Sequence, residues 1–324
     1  MINKYIQKES DLVTTHEFHR KGFLEYALRK SKESIPYIDK AKALKFILEQ
    51  KTQKPKDILA LDEVKDCFYE AAGVSVKAKS YLSKDDLNEI LLEFIKDFLE
   101  PAGNKYIDEL IYRYLLTLGD ALGGRMRNLV GSIANEKLTR FIIAQLQVLN
   151  LQFRYYNKTT KTWQKANDYS IDHVTDIRSI QWRLKSGEER QIIYNLNVPI
   201  VNKNIDIVVL NCHFENLTGN EFKKSLENIS IYQLIGELKG GIDPAGADEH
   251  WKTANTALAR VRDSFKKMKI SLPIIFIGAS IETSMSREIF SQYSKGELSN
   301  CANLTIDNQL ANICNWLVTM THTE

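Results

Sequence analysis

The chain has 324 residues, 44% hydrophobic and 26% charged, an ordinary globular composition with enough apolar side chains for a sizeable core and a length that suits about two domains. A net charge of +3 and a pI near 8.4 do not separate function classes, because a chain that wraps nucleic acid can gather its positive charge on one face. Cys67, Cys212, Cys301 and Cys314 are scattered without CxxC spacing, which argues against a zinc site or a disulfide framework. The opening MINKYIQKESDLVTTHEFHRK lacks the apolar stretch of a secretory signal, and no apolar run is long enough to cross a membrane, so a cytoplasmic protein is expected.

In chain order, the first 150 residues read as mainly helical. DLVTTHEFHRKGFLEYALRKSKESI (11–35) and KDDLNEILLEFIKDFLEPAG (84–103) place apolar residues at helical spacing. The second opens at Ser83, a good N-cap, and stops at Pro101. KYIDELIYRYLLTLGDALGG (105–124) is a further periodic segment, which Gly123 and Gly124 are expected to close. EKLTRFIIAQLQVLNL (136–151) follows as another helix. After about residue 150 the texture changes. LQFRYYN, TWQ, RSIQWRL, RQIIYNLNVPIV, IDIVVLNC and YQLIGELK are short, β-branched and aromatic, and separated by polar turns, as strands are. HWKTANTALARVRDSFKKMK (250–269) returns to helical period, SLPIIFIGAS (271–280) reads as a central strand, and ANICNWLVTM (311–320) suits a last helix or strand. The expected fold is therefore α/β: a mixed central sheet in residues 151–324, preceded by a large helical region, residues 1–150.

The chemistry concentrates in two strands. Asp206 is the single acid in the apolar run IDIVVLN, where a buried carboxylate needs a cationic partner. In QLIGELKG, Glu237 and Lys239 are two residues apart and so share one face of a strand, while Leu238 points to the opposite layer. Two carboxylates from neighbouring strands, with the Leu238 carbonyl, suit a hard cation such as Mg²⁺. Such a cation polarises a scissile phosphate and lowers the pKa of a bound water, and Lys239 suits contact with that water or with the phosphate. This is the Asp…Glu-x-Lys pattern of the PD-(D/E)xK nucleases, with Ile205 where they usually carry proline. Taken bare, the triplet is more often an ion pair on an edge strand. Glu215, in the loop after the Asp206 strand, stays open as an alternative first acid.

The longer run GELKGGIDPAGADEHWKTA (236–254) resembles the AvaI/BsoBI family of type II restriction endonucleases, and GDALGGRMRNLVG (119–131) is similar to that kind of enzyme too. The resemblance implies Asp206 and Glu237 as metal-binding carboxylates, Lys239 as the catalytic lysine and His250 as the histidine that orients or deprotonates the attacking water. It implies Asp243 as a base-reading residue, an aspartate being able to accept from a cytosine amino group, although Asp-Pro also commonly makes a turn. It implies a lysine from the helical part against base edges, for which Lys77 and Lys79 are the candidates. It further implies a homodimer that encircles double-stranded DNA, a degenerate six-base site of the form CYCGRG cut to four-base 5′ ends, and a cognate DNA methyltransferase protecting the same site.

Other contacts are less specific. Arg125, Arg127 and Asn128, after the glycine pair, suit phosphates or base edges, or a helix cap and a solvated helix start. Lys252 opens a basic helix face that suits the DNA backbone or plain solvent. The reading is a Mg²⁺-dependent, site-specific deoxyribonuclease. A nuclease of the same superfamily with a repair or junction substrate, and a catalytically inert DNA-binding protein, stay open as alternatives.

Overall fold

The structure is a computed structural model that describes residues 3–321. The chain forms two compact units, one taking in the chain up to Phe23 and from Leu129 onward, the other Leu24–Asn128. Two long helices, α1 (His16–Lys51) and α5 (Tyr106–Val148), run through both boundaries. Between them lie α2 (Lys65–Ala71), α3 (Val76–Lys79) and α4 (Lys84–Phe94).

The helical unit is held by a core of its own. Leu44 and Leu48 of α1, Phe68 of α2, Leu91 and Phe94 of α4, and Leu110 and Tyr114 of α5 are buried together. Ser83 caps α4 as its position suggests, with its Oγ accepting from the Asp86 N–H at 3.1 Å. The helix then widens into a π-helical turn, Ile95–Leu99, before Pro101.

The first helix carries Pro36 in its interior, on an exposed position. One expectation for this half is corrected. Gly123 and Gly124 do not close a helix, since α5 runs through both without a turn. A glycine ends a helix by going left-handed, and neither residue has a positive φ. Leu118, Leu122 and Met126 recur every four residues and are buried, so packing on one face outweighs the poor propensity of the glycines.

The second unit is built on one eight-stranded sheet in the order β2-β1-β3-β4-β5-β6-β7-β8. The strands are β1 (Phe153–Asn157), β2 (Thr162–Lys165), β3 (Ile177–Arg183), β4 (Glu189–Val198), β5 (Lys203–Leu210), β6 (Tyr232–Lys239), β7 (Ile274–Gly278) and β8 (Asn300–Asn303). Pairing is antiparallel as far as β6 and parallel from β6 to β8. The remaining helices are α6 (Gly219–Ser225), α7 (Ala247–Lys267), α8 (Thr283–Ser294) and α9 (Asp307–Thr319). On one sheet face Leu138 and Ile142 of α5 and Ile313 and Leu317 of α9 pack over Ile207, Leu234 and Ile277. On the other, Trp251, Leu258 and Phe265 of α7 and Ile289 of α8 pack over Val208, Ile235 and Phe276. The fold is thus α/β with a mixed sheet and a large helical N-terminal region, as the residue pattern implies. The N-terminal segment belongs to this unit: the Thr14 hydroxyl donates to the Ala279 carbonyl at 2.9 Å, and the Thr14 N–H to the Ile281 carbonyl at 2.9 Å.

One irregularity positions the site. Ile193 and Tyr194 of β4 face opposite layers in ordinary alternation, but Leu196 and Val198 then face the layer of Ile193 instead of that of Tyr194. Across the ladder, Ile207 and Ile205 likewise face opposite layers. The inversion falls between the pairs Tyr194↔Ile207 and Leu196↔Ile205, at Asn195 and Asp206, and Asn195 is left-handed with φ 52°.

Gly123 lies in a helix interior, and a methyl group added there would meet nothing within 4 Å. Gly123→Ala should therefore raise stability by about 0.5–1 kcal/mol in urea unfolding; a loss of stability would contradict a continuous helix.

Candidate active site

β6 is mainly apolar and buried along most of its length, and its charged residues come at its C-terminal end, beside the parallel partner β7. Glu237 and Lys239 lie on the α7 side of the sheet, whereas Leu238 packs into the opposite core with α5 and α9. The Ile235 N–H donates to the Pro273 carbonyl at 3.1 Å, and the Lys239 carbonyl accepts from the Ala279 N–H at 2.8 Å. Odd-numbered residues of β6 thus turn their backbone groups to β7, and the amide and carbonyl of Leu238 turn to β5.

β5 does not continue alongside to meet them. Pairing of the two strands ends at Ile207↔Gly236, and the next step of a regular ladder would join Ile205 to Leu238. Instead the Leu238 N–H donates to Oδ2 of Asp206 at 2.9 Å. The same oxygen accepts from Nζ of Lys239 at 2.9 Å, and Lys239 also donates to Oε2 of Glu237 at 2.6 Å. One ammonium therefore bridges two carboxylates at the seam of β5 and β6.

Charge in this place is held at a cost. Glu237 is only 4% exposed, and burial, with the Asp206 carboxylate adding to it, pushes its pKa up to about 7 against the attraction of Lys239. For Lys239 burial opposes the charged form, but the two carboxylates outweigh it and raise its pKa. Negative charge is thus in excess over the cation present, in surroundings that solvate it poorly. That electrostatic field and donor set fit a hard divalent cation: two carboxylates and the carbonyl of Leu238 at the same seam. Among the described residues no three His, Cys, Asp or Glu side chains are gathered for a closed metal cage.

The glycines after β6 are required by close approach. A methyl group on Gly240 would lie 2.8 Å from the Val130 carbonyl and 2.5 Å from Cβ of Ala134, so the strand end rests directly on α5. A methyl on Gly241 would meet Nε2 of His250 at 3.1 Å, and one on Gly22 of α1 would meet the Ile242 side chain at 2.3 Å. The imidazole of His250, in the exposed first turn of α7, therefore lies against the segment that leaves Lys239. Asp243 caps the short turn Pro244–Gly246, its Oδ1 accepting from the Ala245 N–H at 2.9 Å, and is exposed.

The remaining candidates do not join this cluster by any bond. Glu215 is engaged with Arg154, and the acid bonded to Lys239 alongside Glu237 is Asp206. Lys252 pairs with Asp248 at 2.5 Å. In the helical unit Lys77 is exposed, and Lys79 pairs with Asp66 over the Tyr69 ring. There too Arg125 pairs with Glu33 at 3.2 Å, and Arg127 and Asn128 are exposed. These last three occupy the middle of α5, and the expected flexible turn is not there. Residue patterns alone missed Asn195 and the packing role of Gly240. The signal for Asn195 is slight, an asparagine being among the few residues that accept a left-handed backbone.

A mixed sheet carrying an Asp…Glu-x-Lys cluster at a strand seam defines a nuclease of the restriction-endonuclease class, and the enzyme is a type II site-specific deoxyribonuclease. The chain belongs to the family described as Restriction endonuclease BsobI, whose model matches residues 2–320. It is 44% identical over 322 residues to the type II restriction enzyme BsoBI of Geobacillus stearothermophilus, covering 98% of each chain. It is 43% identical over 315 residues to the type II restriction enzymes AvaI of Nostoc sp. and of Anabaena variabilis, covering 97% of this chain and 98% of theirs. No helix among the described residues is long and apolar enough to cross a membrane.

Two outcomes follow from this geometry. Glu237 binds its proton more tightly in the folded than in the unfolded state, so its contribution is full below pH 4.5 and is lost as pH rises through about 7. In EDTA, Glu237→Gln should match the parent near pH 4.5 and exceed its unfolding free energy by about 2–3 kcal/mol at about pH 8; no growth of the difference with pH would contradict the burial argument. Gly240→Ala forces a methyl onto a helix backbone and should cost about 1–3 kcal/mol in the same assay, with Gly187→Ala in the strand-joining turn as a comparison that strains conformation and not packing.

Proposed function

We propose that the protein is a Mg²⁺-dependent restriction endonuclease that hydrolyses both strands of DNA at a palindromic, degenerate six-base site of the CYCGRG type, leaving four-base 5′ ends. The observation that carries the chemistry is the shared ammonium: Lys239 lies 2.9 Å from Asp206 and 2.6 Å from Glu237, at the seam where β5 leaves β6. Asp206, Glu237 and the Leu238 carbonyl would hold the cation. When bound, such an ion polarises the scissile phosphate and makes a bound water more acidic.

The chain's own groups do the rest. Lys239 keeps a positive charge beside the reacting phosphate and stabilises the charge that develops on it. The burial that raises the pKa of Glu237 also keeps bulk water from screening that charge. His250, held against Gly241, orients the attacking water and accepts its proton. Asp243, exposed at the start of the same turn, offers its free carboxylate oxygen to a cytosine amino group. Lys252, Arg125, Arg127 and Asn128 contact the DNA backbone or base edges, Lys79 exchanges its partner Asp66 for DNA, and Lys77 reaches bases from the helical part.

A palindromic site presents two equal half-sites, so the working form is a homodimer. The helical region, residues 1–150, embraces the duplex and supplies dimer contacts. In support, Leu24, Leu28, Ile35 and Ile38 of α1 are exposed at spacings of four, seven and three residues, an apolar stripe suited to a second helix. The enzyme acts in the cytoplasm, where a cognate methyltransferase protects the same sites; its four cysteines are all free, as in a reducing compartment.

Glu237→Ala and Lys239→Ala should each lower plasmid cleavage about a hundred- to a thousandfold or more while circular dichroism is unchanged. His250→Ala should cost about a hundredfold or more. Sequencing the ends of a plasmid cut by the parent in Mg²⁺ should return CYCGRG with four-base 5′ extensions. Discrete cutting at other sequences would overturn the specificity, and normal cutting by both variants would overturn the site.

A further inference from the structure

We infer that Asn195 is a positioning residue for the cation site, acting through its left-handed backbone and not through its side chain. The inference rests on the reading of Asp206 and the Leu238 carbonyl as cation ligands, and goes beyond it by saying what keeps them available. Left to regular pleating, β5 would stay paired with β6 past Gly236, and Ile205 would take up both the N–H and the carbonyl of Leu238. Asn195, with φ 52°, lies directly across the β4–β5 ladder from Asp206, in the gap between Tyr194↔Ile207 and Leu196↔Ile205. At that level both strands turn over, so that Leu196, Val198 and Ile205 are all buried against the α7 side.

The turnover has three consequences for the site. It peels β5 off β6 one residue pair before the ladder would reach Leu238. It hands the Leu238 N–H to the Asp206 carboxylate at 2.9 Å, which fixes that carboxylate beside Lys239. It leaves the Leu238 carbonyl directed at the seam without Ile205 opposite it. Asn195 itself is exposed, so its side chain is not part of the packing. A left-handed backbone is open to glycine, tolerable for asparagine and aspartate, costly for alanine and worst for a β-branched residue.

That ranking is the test. Mn²⁺ binding to the DNA-free protein is measured by calorimetry for Asn195→Gly, Asn195→Asp, Asn195→Ala and Asn195→Val, with plasmid cleavage as kcat and KM. Glycine and aspartate should bind Mn²⁺ within about threefold of the parent, alanine several-fold more weakly and valine at least about tenfold more weakly. The losses should fall on kcat, with KM for DNA little changed. If the valine protein does not fold, the contrast of alanine with glycine decides. Parent-like Mn²⁺ binding by the valine variant, or by alanine where valine does not fold, would overturn the inference, as would a glycine variant impaired as much as alanine. Asp206→Ala keeps the two levels apart: if it binds Mn²⁺ like the parent, the ligand assignment fails and the inference falls with it. If it loses Mn²⁺ while the Asn195 series stays flat, only the inference fails.

Discussion

Two carboxylates and one ammonium meet where β5 parts from β6, with Glu237 buried and Asp206 and Lys239 half-buried beside it. Glu237 is buried on the α7 side, Asp206 is bound to a backbone amide, and Lys239 spans the two. An arrangement with more negative than positive charge in poor solvation is unfavourable by itself. It persists because the flanking apolar strands and the helices on both faces are stable enough to impose it. A divalent cation held there, as proposed, would relieve that excess.

The segment after Lys239 shows how the site is built into the packing. Gly240 lies flat on α5, Gly241 makes room for the His250 imidazole, and Ile242 fills the space that Gly22 leaves on α1. Three successive residues are thus fixed by three different elements, and the lysine and the histidine are joined by chain that has little freedom. Asp243 then spends one carboxylate oxygen on the Ala245 amide and has the other to offer outward. The turn role and the proposed base-reading role of this residue are compatible, because they use different oxygens.

Much of this was legible in the residues. The lone acid of IDIVVLN and the Glu-x-Lys triplet identify two strands and one face, and the long run after them identifies the family. The six strands from LQFRYYN to YQLIGELK stand out by their β-branched and aromatic content. What was not legible has physical reasons. The glycine pair at 123–124 looked like a stop because glycine propensity is local, whereas the burial of Leu118, Leu122 and Met126 that overrides it is tertiary. β8, at NCAN, has neither alternation nor length and exists because β7 offers it a parallel edge. The parting of β5 from β6 depends on one backbone angle at Asn195, a residue of a third strand that carries no chemistry of its own, and Ile205 gives no sign that it faces the wrong layer.

The most direct test of the central claim is the location of a bound metal. Crystals of the protein with a DNA duplex and Mn²⁺, measured at the manganese absorption edge, give the ion's position from anomalous scattering. The expected result is a peak within about 2.0–2.6 Å of a carboxylate oxygen of Asp206, one of Glu237 and the Leu238 carbonyl, with the Lys239 ammonium moved off the carboxylates. A peak at Glu215 or elsewhere, with Lys239 still bridging Asp206 and Glu237, would contradict it.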